Sequence, residues 1–499
     1  MTEILTQPVV SRPLIRPTRA WVPPTLVGIA AAATSLISID TPSIWYDEAA
    51  TVSSATRSWS QLAAELGQID LVHGLYYALM HVWFDLVGYS PFTLRLPSAL
   101  AVGAAAALLV ILGRHISRER LGVAAGIVFA VLPRATWAGG EGRSYALTAL
   151  LAVATTLLLV LAARRRTRGW WIAYAVAALV ACTLFIYLAL VIAGHLLTLA
   201  LLRRRDARMS GTRTSWLLAM ASIAPLALPF VIVTISQRGQ VAWLPEVGTS
   251  TPSAVVSTQW FFDNPVWTVL GWAAIVAGVA LMATRRDHRR LLAVVLPGLI
   301  IPTAAILIAS ATITPLYNPR YLTMSLPFVA LAIAAAIDAL PRRGIAIAAL
   351  ALAVAISIPT IVDQRQTTAK EDTDWRTVST LIENVRSDDP DASTAFIYDS
   401  VRHHPRATSR VIAYAYPQGF GDSVDVTLQT SAAASGKLWE TFAPLTTSLD
   451  RLEGVDEVFL LTSTATDDTD ATLATIGPRG WRITDTWTVS DVKIVRFAI

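Results

Sequence analysis

The sequence predicts a mainly α-helical membrane protein in which a helical bundle precedes a small α/β domain. Of its 499 residues, 54% are hydrophobic and only 15% are charged, whereas soluble domains have about 25% charged residues. The mean hydropathy is +0.53. Residues 1–362 hold 27 Lys and Arg against 14 Asp and Glu, and residues 363–499 hold 13 against 21. These values exclude an ordinary soluble enzyme and a disordered protein, which would be poor in apolar residues.

The first 362 residues contain apolar runs of the length that crosses a bilayer. Because a helix rises about 1.5 Å per residue, about 20 apolar residues match the hydrocarbon core. The stretch 169–202 would be about 50 Å long as one helix, so we expect two short spans with a turn near Tyr187. About eleven spans result, in a transmembrane domain over 1–362. They are 21–39, 95–113, 120–134, 145–163, two within 169–202, 215–235, 266–284, 291–311, 320–340 and 344–362.

Basic clusters between the spans predict the orientation, since cytoplasmic loops are rich in Lys and Arg. If every cluster is cytoplasmic, neighbouring clusters must be separated by an even number of spans. Counting 71–88 as a span would break this pattern, so we expect a helix lying on the outer membrane surface, within an outer loop 40–94. The protein is then a multi-pass protein of the plasma membrane with a cytoplasmic N-terminus. The clusters are Arg12, Arg16 and Arg19; Arg114, Arg118 and Arg120; 164–168; 203–208; 285–290; and Arg342 with Arg343.

Residues 363–499 predict an extracytoplasmic α/β domain. Residues 372–388 have apolar side chains at helical spacing. Four further stretches are rich in β-branched and aromatic residues, as strands are; they are 394–399, 457–464, 481–488 and 492–499. The single cysteine, Cys182, gives no disulfide or metal pattern. Because the basic residues accompany the apolar part, they argue for a membrane lipid partner and against nucleic acid.

The charged residues just outside the predicted spans are the candidate functional residues, because charges are costly in hydrocarbon. Asp47 and Glu48 follow the first span. Later outer segments add His73 and Tyr76; Glu141, Arg143 and Tyr145; Asp263; and Tyr317, Arg320 and Tyr321. Together they predict an outward-facing cleft for a substrate with an apolar tail, a phosphate and a sugar. Arginine suits phosphate because it donates two parallel hydrogen bonds, and a carboxylate nearby can deprotonate an attacking hydroxyl.

Five motifs resemble those of the GT-C glycosyltransferases: WYDEA, HGLYYALMHVW, SPFTLRLPSAL, EGRSYAL and PRYL. The pattern is most similar to the branch with the protein O-mannosyltransferases and the lipid A aminoarabinose transferase. The resemblance implies an inverting transfer of a sugar, with mannose preferred and arabinose possible, from a polyprenyl-phosphate donor on the outer face. It implies Asp47 as general base, Glu48 beside it in the substrate site, and Arg143 and Arg320 on the phosphate side. Many relatives have HPP or KPP where this chain has VHGLYY, so the role of His73 stays open.

Further implications concern the source and the substrates. The alanine- and arginine-rich composition suggests an actinobacterial source, where decaprenyl-phosphate mannose and arabinose are the usual donors. The acceptor would be a hydroxyl of a cell-envelope glycan, glycolipid or protein. No cofactor is expected to be required, although Asp47 and Glu48 offer oxygen ligands to a divalent cation.

Other interpretations remain open from the sequence. The acid pair could be a solvated helix start, and Arg143 and Arg320 could anchor the protein at the lipid headgroups. A transporter or flippase of the same lipid is the alternative function. Transporters usually build their sites near the bilayer midplane from repeated halves, and this sequence has no internal repeat. A third interpretation is a ligand sensor, but it would not explain why acids and arginines occur together in the outer segments.

Overall fold

The structure is a computed structural model that describes residues 20–203, 211–285, 288–401, 404–421 and 423–499. The N-terminal basic cluster, Arg12, Arg16 and Arg19, lies outside the described residues. Residues 204–208 and 286, which belong to two further clusters, also lie outside them.

Fifteen helices, counted within the described residues and leaving out single turns, precede the C-terminal domain. The bundle also contains the short 3-10 turns Leu71–His73, Arg238–Val241 and Pro319–Ser325. The first eight helices are α1 (Val22–Leu36), α2 (Tyr46–Ala55), α3 (Trp59–Leu66), α4 (Gly74–Val87), α5 (Pro91–Ile116), α6 (Glu119–Val131), α7 (Pro133–Gly139) and α8 (Tyr145–Arg165). The others are α9 (Arg168–Leu184), α10 (Leu188–Arg203), α11 (Thr212–Ser236), α12 (Pro265–Thr284), α13 (Arg289–Thr312), α14 (Leu326–Asp338) and α15 (Arg343–Asp363).

Seven helical segments of the described chain are long and apolar enough to cross a membrane. The pair α6 and α7 would be an eighth; its 66° bend lies at Leu132, where the following Pro133 disfavours helical geometry. Helices α1, α9 and α10 occupy the positions of the other predicted spans but have only 15, 17 and 16 residues. The chain is therefore a multi-pass membrane protein, and the total of eleven spans stays a prediction. The predicted turn near Tyr187 is confirmed by the break between α9 and α10.

The α5–α6 turn and the end of α14 lie side by side at one end of the bundle. Asp338 is fully buried there and accepts a hydrogen bond from Nε of Arg118 at 2.6 Å, while Nε of Arg120 is 3.3 Å away. Helices α2, α3 and α4 lie at the opposite end, where α5 begins. The cluster with Arg118 and Arg120 therefore lies away from α2–α4, and the orientation of the protein in the membrane stays a prediction.

Helix α14 and the turn before it form the centre of the bundle, since 94% of this apolar segment is buried inside the structure. Helix α12 approaches α14 closely at Gly278. A β-carbon at this position would lie 2.0 Å from the carbonyl oxygen of Ala332, so only glycine fits. The central segment carries Arg320 at its start, and its tight packing fixes where that side chain emerges.

The C-terminal domain is a five-stranded mixed sheet with helices on its faces. Its strands, in spatial order, are β4 (Val424–Asp425), β1 (Thr394–Tyr398), β7 (Glu457–Ser463), β9 (Val492–Ala498) and β8 (Arg482–Val489). Strand β1 is parallel to β4 and β7, and β9 is antiparallel to β7 and β8. The predicted helix 372–388 and the four predicted strands are confirmed. The elements are α16 (Trp375–Ser387), β1 (Thr394–Tyr398), β2 (Ser400–Val401), β3 (His404–Thr408), α17 (Val411–Ala415), β4 (Val424–Asp425), β5 (Leu428–Thr430), α18 (Ala432–Ser435), β6 (Thr441–Phe442), β7 (Glu457–Ser463), α19 (Thr469–Ile476), β8 (Arg482–Val489) and β9 (Val492–Ala498).

The domain packs on the end of the bundle that carries α2 and α4. One buried cluster unites side chains from both parts, among them Tyr77 and Phe396. Hydrogen bonds also join them: the Tyr89 hydroxyl donates to the carbonyl of Ala415 at 2.6 Å, and Nη2 of Arg57 donates to the carbonyl of Leu438 at 3.0 Å. The domain thereby covers the residues that follow the first span.

Candidate active site

Asp47 and Glu48 occupy the first turn of α2, directly after the extended residue Trp45. Acidic side chains favour this position because the helix N-terminus carries unpaired N–H groups and a partial positive charge. Neighbouring residues on a helix point about 100° apart, and these two separate accordingly. The side chain of Asp47 is 15% exposed, whereas that of Glu48 is completely buried. Only Asp47 is therefore accessible to a substrate.

Arg320 places a cation beside Asp47. It lies in the turn Pro319–Ser325, where the side-chain oxygen of Asn318 accepts a hydrogen bond from the backbone N–H of Arg320. Nη2 of Arg320 is 3.2 Å from Oδ2 of Asp47. Its guanidinium carbon lies 5.1 Å from the ring centre of Trp45, a contact that holds a cation over an aromatic face.

Arg143 is a second cation next to α2. It lies just before α8, and its Nη1 donates to the hydroxyl of Tyr77 at 2.9 Å and to the carbonyl oxygen of Asp47 at 3.3 Å. The residue is buried, and its Nε has no hydrogen-bond partner among the described residues. A buried donor without an acceptor is costly, and a phosphate oxygen would satisfy it.

A cavity of about 810 Å³ opens beside these residues. Asp47, Asp70, His73 and Arg143 lie at its polar end, and Trp439 adds a wall from the C-terminal domain. Its apolar wall comes from α10, α11 and α13, with Leu190, Ile235, Ile306, Ala309 and Ile313. A few polar groups at the end of an apolar cavity of this size are typical of a binding site for a small, largely apolar molecule.

Asp70 is a site residue that the sequence analysis missed. It has a left-handed backbone with φ of 64°, a conformation that is uncommon outside glycine and often marks functional sites. The Tyr77 hydroxyl donates to its Oδ2 at 2.6 Å. Burial raises the pKa of the Asp70 carboxyl, against the opposing charge of Arg143. Asp70, Tyr77 and Arg143 thus form one connected chain at the polar end of the cavity.

His73 lines the same cavity as a neutral ring. Burial lowers its pKa well below the usual value, and the charges of Arg143 and Arg320 lower that pKa further. The ring stacks on Phe185 with 6.0 Å between centres. His73 can therefore exchange hydrogen bonds with a substrate without adding to the positive charge of the site.

Glu48 and Glu141 belong to a buried ion-pair cluster rather than to the cavity wall. Arg95 donates to both oxygens of Glu48 at 2.8 and 2.6 Å. Nζ of Lys370 lies 2.9 Å from both glutamates. Burial raises the pKa of Glu48, but the charges of Arg95 and Lys370 lower it to about 2. Both carboxylates are buried and bonded to cations in this structure, and the substrate contact predicted for Glu48 and Glu141 stays a prediction.

The remaining predicted site residues divide into two groups. Tyr321 lines the cavity, and the ring of Tyr145 packs 6.3 Å from it. Tyr76, Asp263 and Tyr317 are not brought to the cavity. Tyr76 is buried, while the Asp263 carboxylate accepts a hydrogen bond from the Thr258 hydroxyl and the Tyr317 hydroxyl donates to Gln259. The substrate contact predicted for these three residues stays a prediction.

Comparison with known proteins identifies similar structures only. No protein-family model matches the chain, and no curated protein matches it. The crystal structure of ArnT from Cupriavidus metallidurans in the apo state has a TM-score of 0.62 at 13% identity, over 96% of this chain and 98% of that chain. The same protein bound to undecaprenyl phosphate has a TM-score of 0.58 at 14% identity, over the same shares. A mutant of the arabinofuranosyltransferase AftD from Mycobacteria has a TM-score of 0.51 at 16% identity, over 95% of this chain and 41% of that chain.

Proposed function

The chain has the GT-C fold of these structures, and we propose that it is an inverting glycosyltransferase. Its donor is a sugar on a polyprenyl phosphate, and its acceptor is a hydroxyl group. Undecaprenyl phosphate bound to one of the similar structures supports a donor of this class.

One observation carries the proposal: a single cavity joins the Asp47 carboxylate and the Arg143 guanidinium to a long apolar wall. The apolar wall of α10, α11 and α13 suits a polyprenyl tail. The phosphate lies near Arg143 and Arg320, whose planar groups donate paired hydrogen bonds to phosphate oxygens. The sugar then lies next to Asp47.

The chemistry is a single displacement. Asp47 accepts the proton of the acceptor hydroxyl as its oxygen forms a bond to the anomeric carbon. The bond from that carbon to the phosphate oxygen breaks on the opposite face, and polyprenyl phosphate leaves with the electron pair. Arg143 and Arg320 stabilise the negative charge that develops on the phosphate. Attack from the opposite face inverts the anomeric carbon, and no covalent enzyme intermediate forms.

The finer assignments rest on the sequence. Mannose is preferred to arabinose as the transferred sugar because of the motif resemblance, and the acceptor is a cell-envelope glycan, glycolipid or protein. The basic clusters favour a cytoplasmic N-terminus and an extracytoplasmic site and C-terminal domain. The reaction needs no cofactor in this proposal, and a cation held by Asp47 and Glu48 together does not fit, because Glu48 is bonded to Arg95 and Lys370.

The test uses purified protein in detergent with a synthetic polyprenyl-phosphate mannose and, in parallel, the arabinose donor. We expect sugar transfer or donor hydrolysis that Asp47→Asn lowers by at least about 100-fold, while binding of polyprenyl phosphate is retained. The alternative is a flippase of the same lipid. Movement of the lipid across liposome membranes that survives Asp47→Asn, without sugar transfer by the wild type, would favour the flippase.

A further inference from the structure

The linker, residues 364–374 between α15 and α16, is anchored to the bundle. Nε of Arg365 donates to the carbonyl of Ile37 at 2.8 Å, and the carbonyl of Thr367 accepts from the backbone N–H of Ser43 at 2.8 Å. Connecting segments usually run over the surface and contact few residues. This linker instead bonds to the segment between α1 and α2, immediately before Asp47.

Lys370 of the linker is buried in the ion-pair cluster. An ammonium group has three donors and no acceptor, and Nζ of Lys370 has three acceptors at 2.9 Å: Oε1 of Glu48, Oε2 of Glu141 and the carbonyl oxygen of Gly140. All of its donors are satisfied by two segments of the bundle, which are far apart in the sequence.

These partners adjoin the two residues proposed to act on the substrate. Glu48 directly follows Asp47 in the first turn of α2. Glu48 also accepts a hydrogen bond from the backbone N–H of Gly142 at 2.7 Å, next to Arg143. The Gly140–Arg143 segment and the start of α2 thus meet at Lys370.

The charges of the cluster balance only with Lys370 present. Two carboxylates, Glu48 and Glu141, face two cations, Arg95 and Lys370, and all four are buried. Arg95 bonds to both oxygens of Glu48, whereas Lys370 is the cation bonded to Glu141. Removing one partner of a buried ion pair leaves a charge without compensation, which is costly.

We propose that Lys370 is a positioning residue for the transfer reaction: it clamps the first turn of α2 to the Gly140–Arg143 segment and so sets Asp47 against Arg143. The inference rests on the proposed function. It gives the linker 364–374 a part in catalysis, because this segment, which leads into the α/β domain, supplies the clamp between two bundle segments.

The test compares Lys370→Met, the double variant Glu141→Gln/Lys370→Met and the exposed control Lys437→Met in the full-length protein. Met keeps most of the length of the side chain without its charge, and the double variant restores charge balance without the clamp. The measurements are kcat, the Kd for polyprenyl phosphate and the thermal midpoint of each purified protein.

We expect Lys370→Met to lower kcat at least about 30-fold, because misplaced reacting groups slow the chemical step, with a Kd within about threefold of wild type. The double variant should recover thermal stability but not kcat, which a merely structural lysine would not predict. If Lys370→Met does not fold, the kcat of the double variant is compared with that of wild type instead. Wild-type kcat in Lys370→Met, or in the double variant, would overturn the positioning role and leave the proposed function intact. A wild type without transfer would overturn both.

Discussion

Arg320 contacts Asp47 across 3.2 Å, so the proposed base and a proposed phosphate-binding cation are direct neighbours. The two residues are far apart in the sequence, and they meet because the turn before α14 lies against the first turn of α2. Asp47 and the phosphate of a donor would share this guanidinium. Arg320 would therefore contact both the proposed base and the leaving phosphate.

Arg320→Gln is expected to weaken binding of polyprenyl phosphate by at least about tenfold, because a charge-assisted hydrogen bond is worth about 1.5–3 kcal/mol. Arg320→Lys should lie between wild type and Arg320→Gln, since it keeps the charge and loses the planar fork. Quenching of tryptophan fluorescence on titration with the lipid measures Kd. Arg342→Gln, an exposed arginine near the distant end of α14, is the matched control. An unchanged Kd in Arg320→Gln would place the phosphate elsewhere.

Ala309→Trp is expected to raise the KM for a long-chain donor at least about tenfold, because the indole would fill the apolar part of the cavity that suits the lipid tail. A donor with a short chain should be affected less. Leu352→Trp, on the exposed face of α15, adds an indole of the same size outside the cavity and should leave KM unchanged. Equal effects on both donors would contradict this path for the tail.

The stability of the folded protein is expected to depend on pH through Glu65. It is buried against Arg57 and Ser54, and burial raises its pKa from 4.5 to about 7. A raised pKa in the folded state stabilises the fold fully below pH 4.5, and this contribution is lost as the pH rises through 7. The thermal midpoint of wild type should therefore fall relative to that of Glu65→Gln between pH 5 and 8. The thermal midpoint of the exposed control Glu453→Gln should change with pH as that of wild type does. A thermal midpoint of wild type that rises relative to that of Glu65→Gln between pH 5 and 8 would contradict the assignment.

Transfer activity is expected to be unchanged by EDTA, and added Mg²⁺ or Mn²⁺ should change it less than about twofold. The reason is that Glu48 is held by two cations, and the described part of the chain has no group of three or more His, Cys, Asp or Glu side chains placed to hold a metal ion. Activity assayed before and after chelation, with the released metal measured by mass spectrometry, checks this. Loss of activity that one divalent ion restores would contradict it.

The sequence predicted most of the fold because its signals are local. Spans, basic clusters and the strands of the C-terminal domain each follow from short windows of residues. The acid pair and the arginines near the lipid boundary were also identifiable, since charges there are conspicuous. Asp47, Arg143 and Arg320 were named in this way, and their roles stay proposals.

The partners of buried charges were not predictable in the same way. Lys370 lies in the polar stretch AKEDTDW, which is typical of a solvated segment, and its partners Glu141 and Glu48 are 229 and 322 residues away. Without those contacts, Glu48 and Glu141 could not be distinguished from substrate-binding acids. Asp70 was missed because its left-handed backbone and its position on the cavity wall depend on how the outer loop folds over α9–α11.

In the proposed reaction, the apolar wall of the cavity would also limit the rate of repeated turnover. The sugar-bearing donor and the released polyprenyl phosphate have the same tail and the same phosphate, so both would compete for the surface of α10, α11 and α13 and for the same arginines. Product inhibition by free polyprenyl phosphate is the expected consequence. The rate in a cell would then depend on how fast other enzymes recycle the carrier, as well as on the transfer step itself.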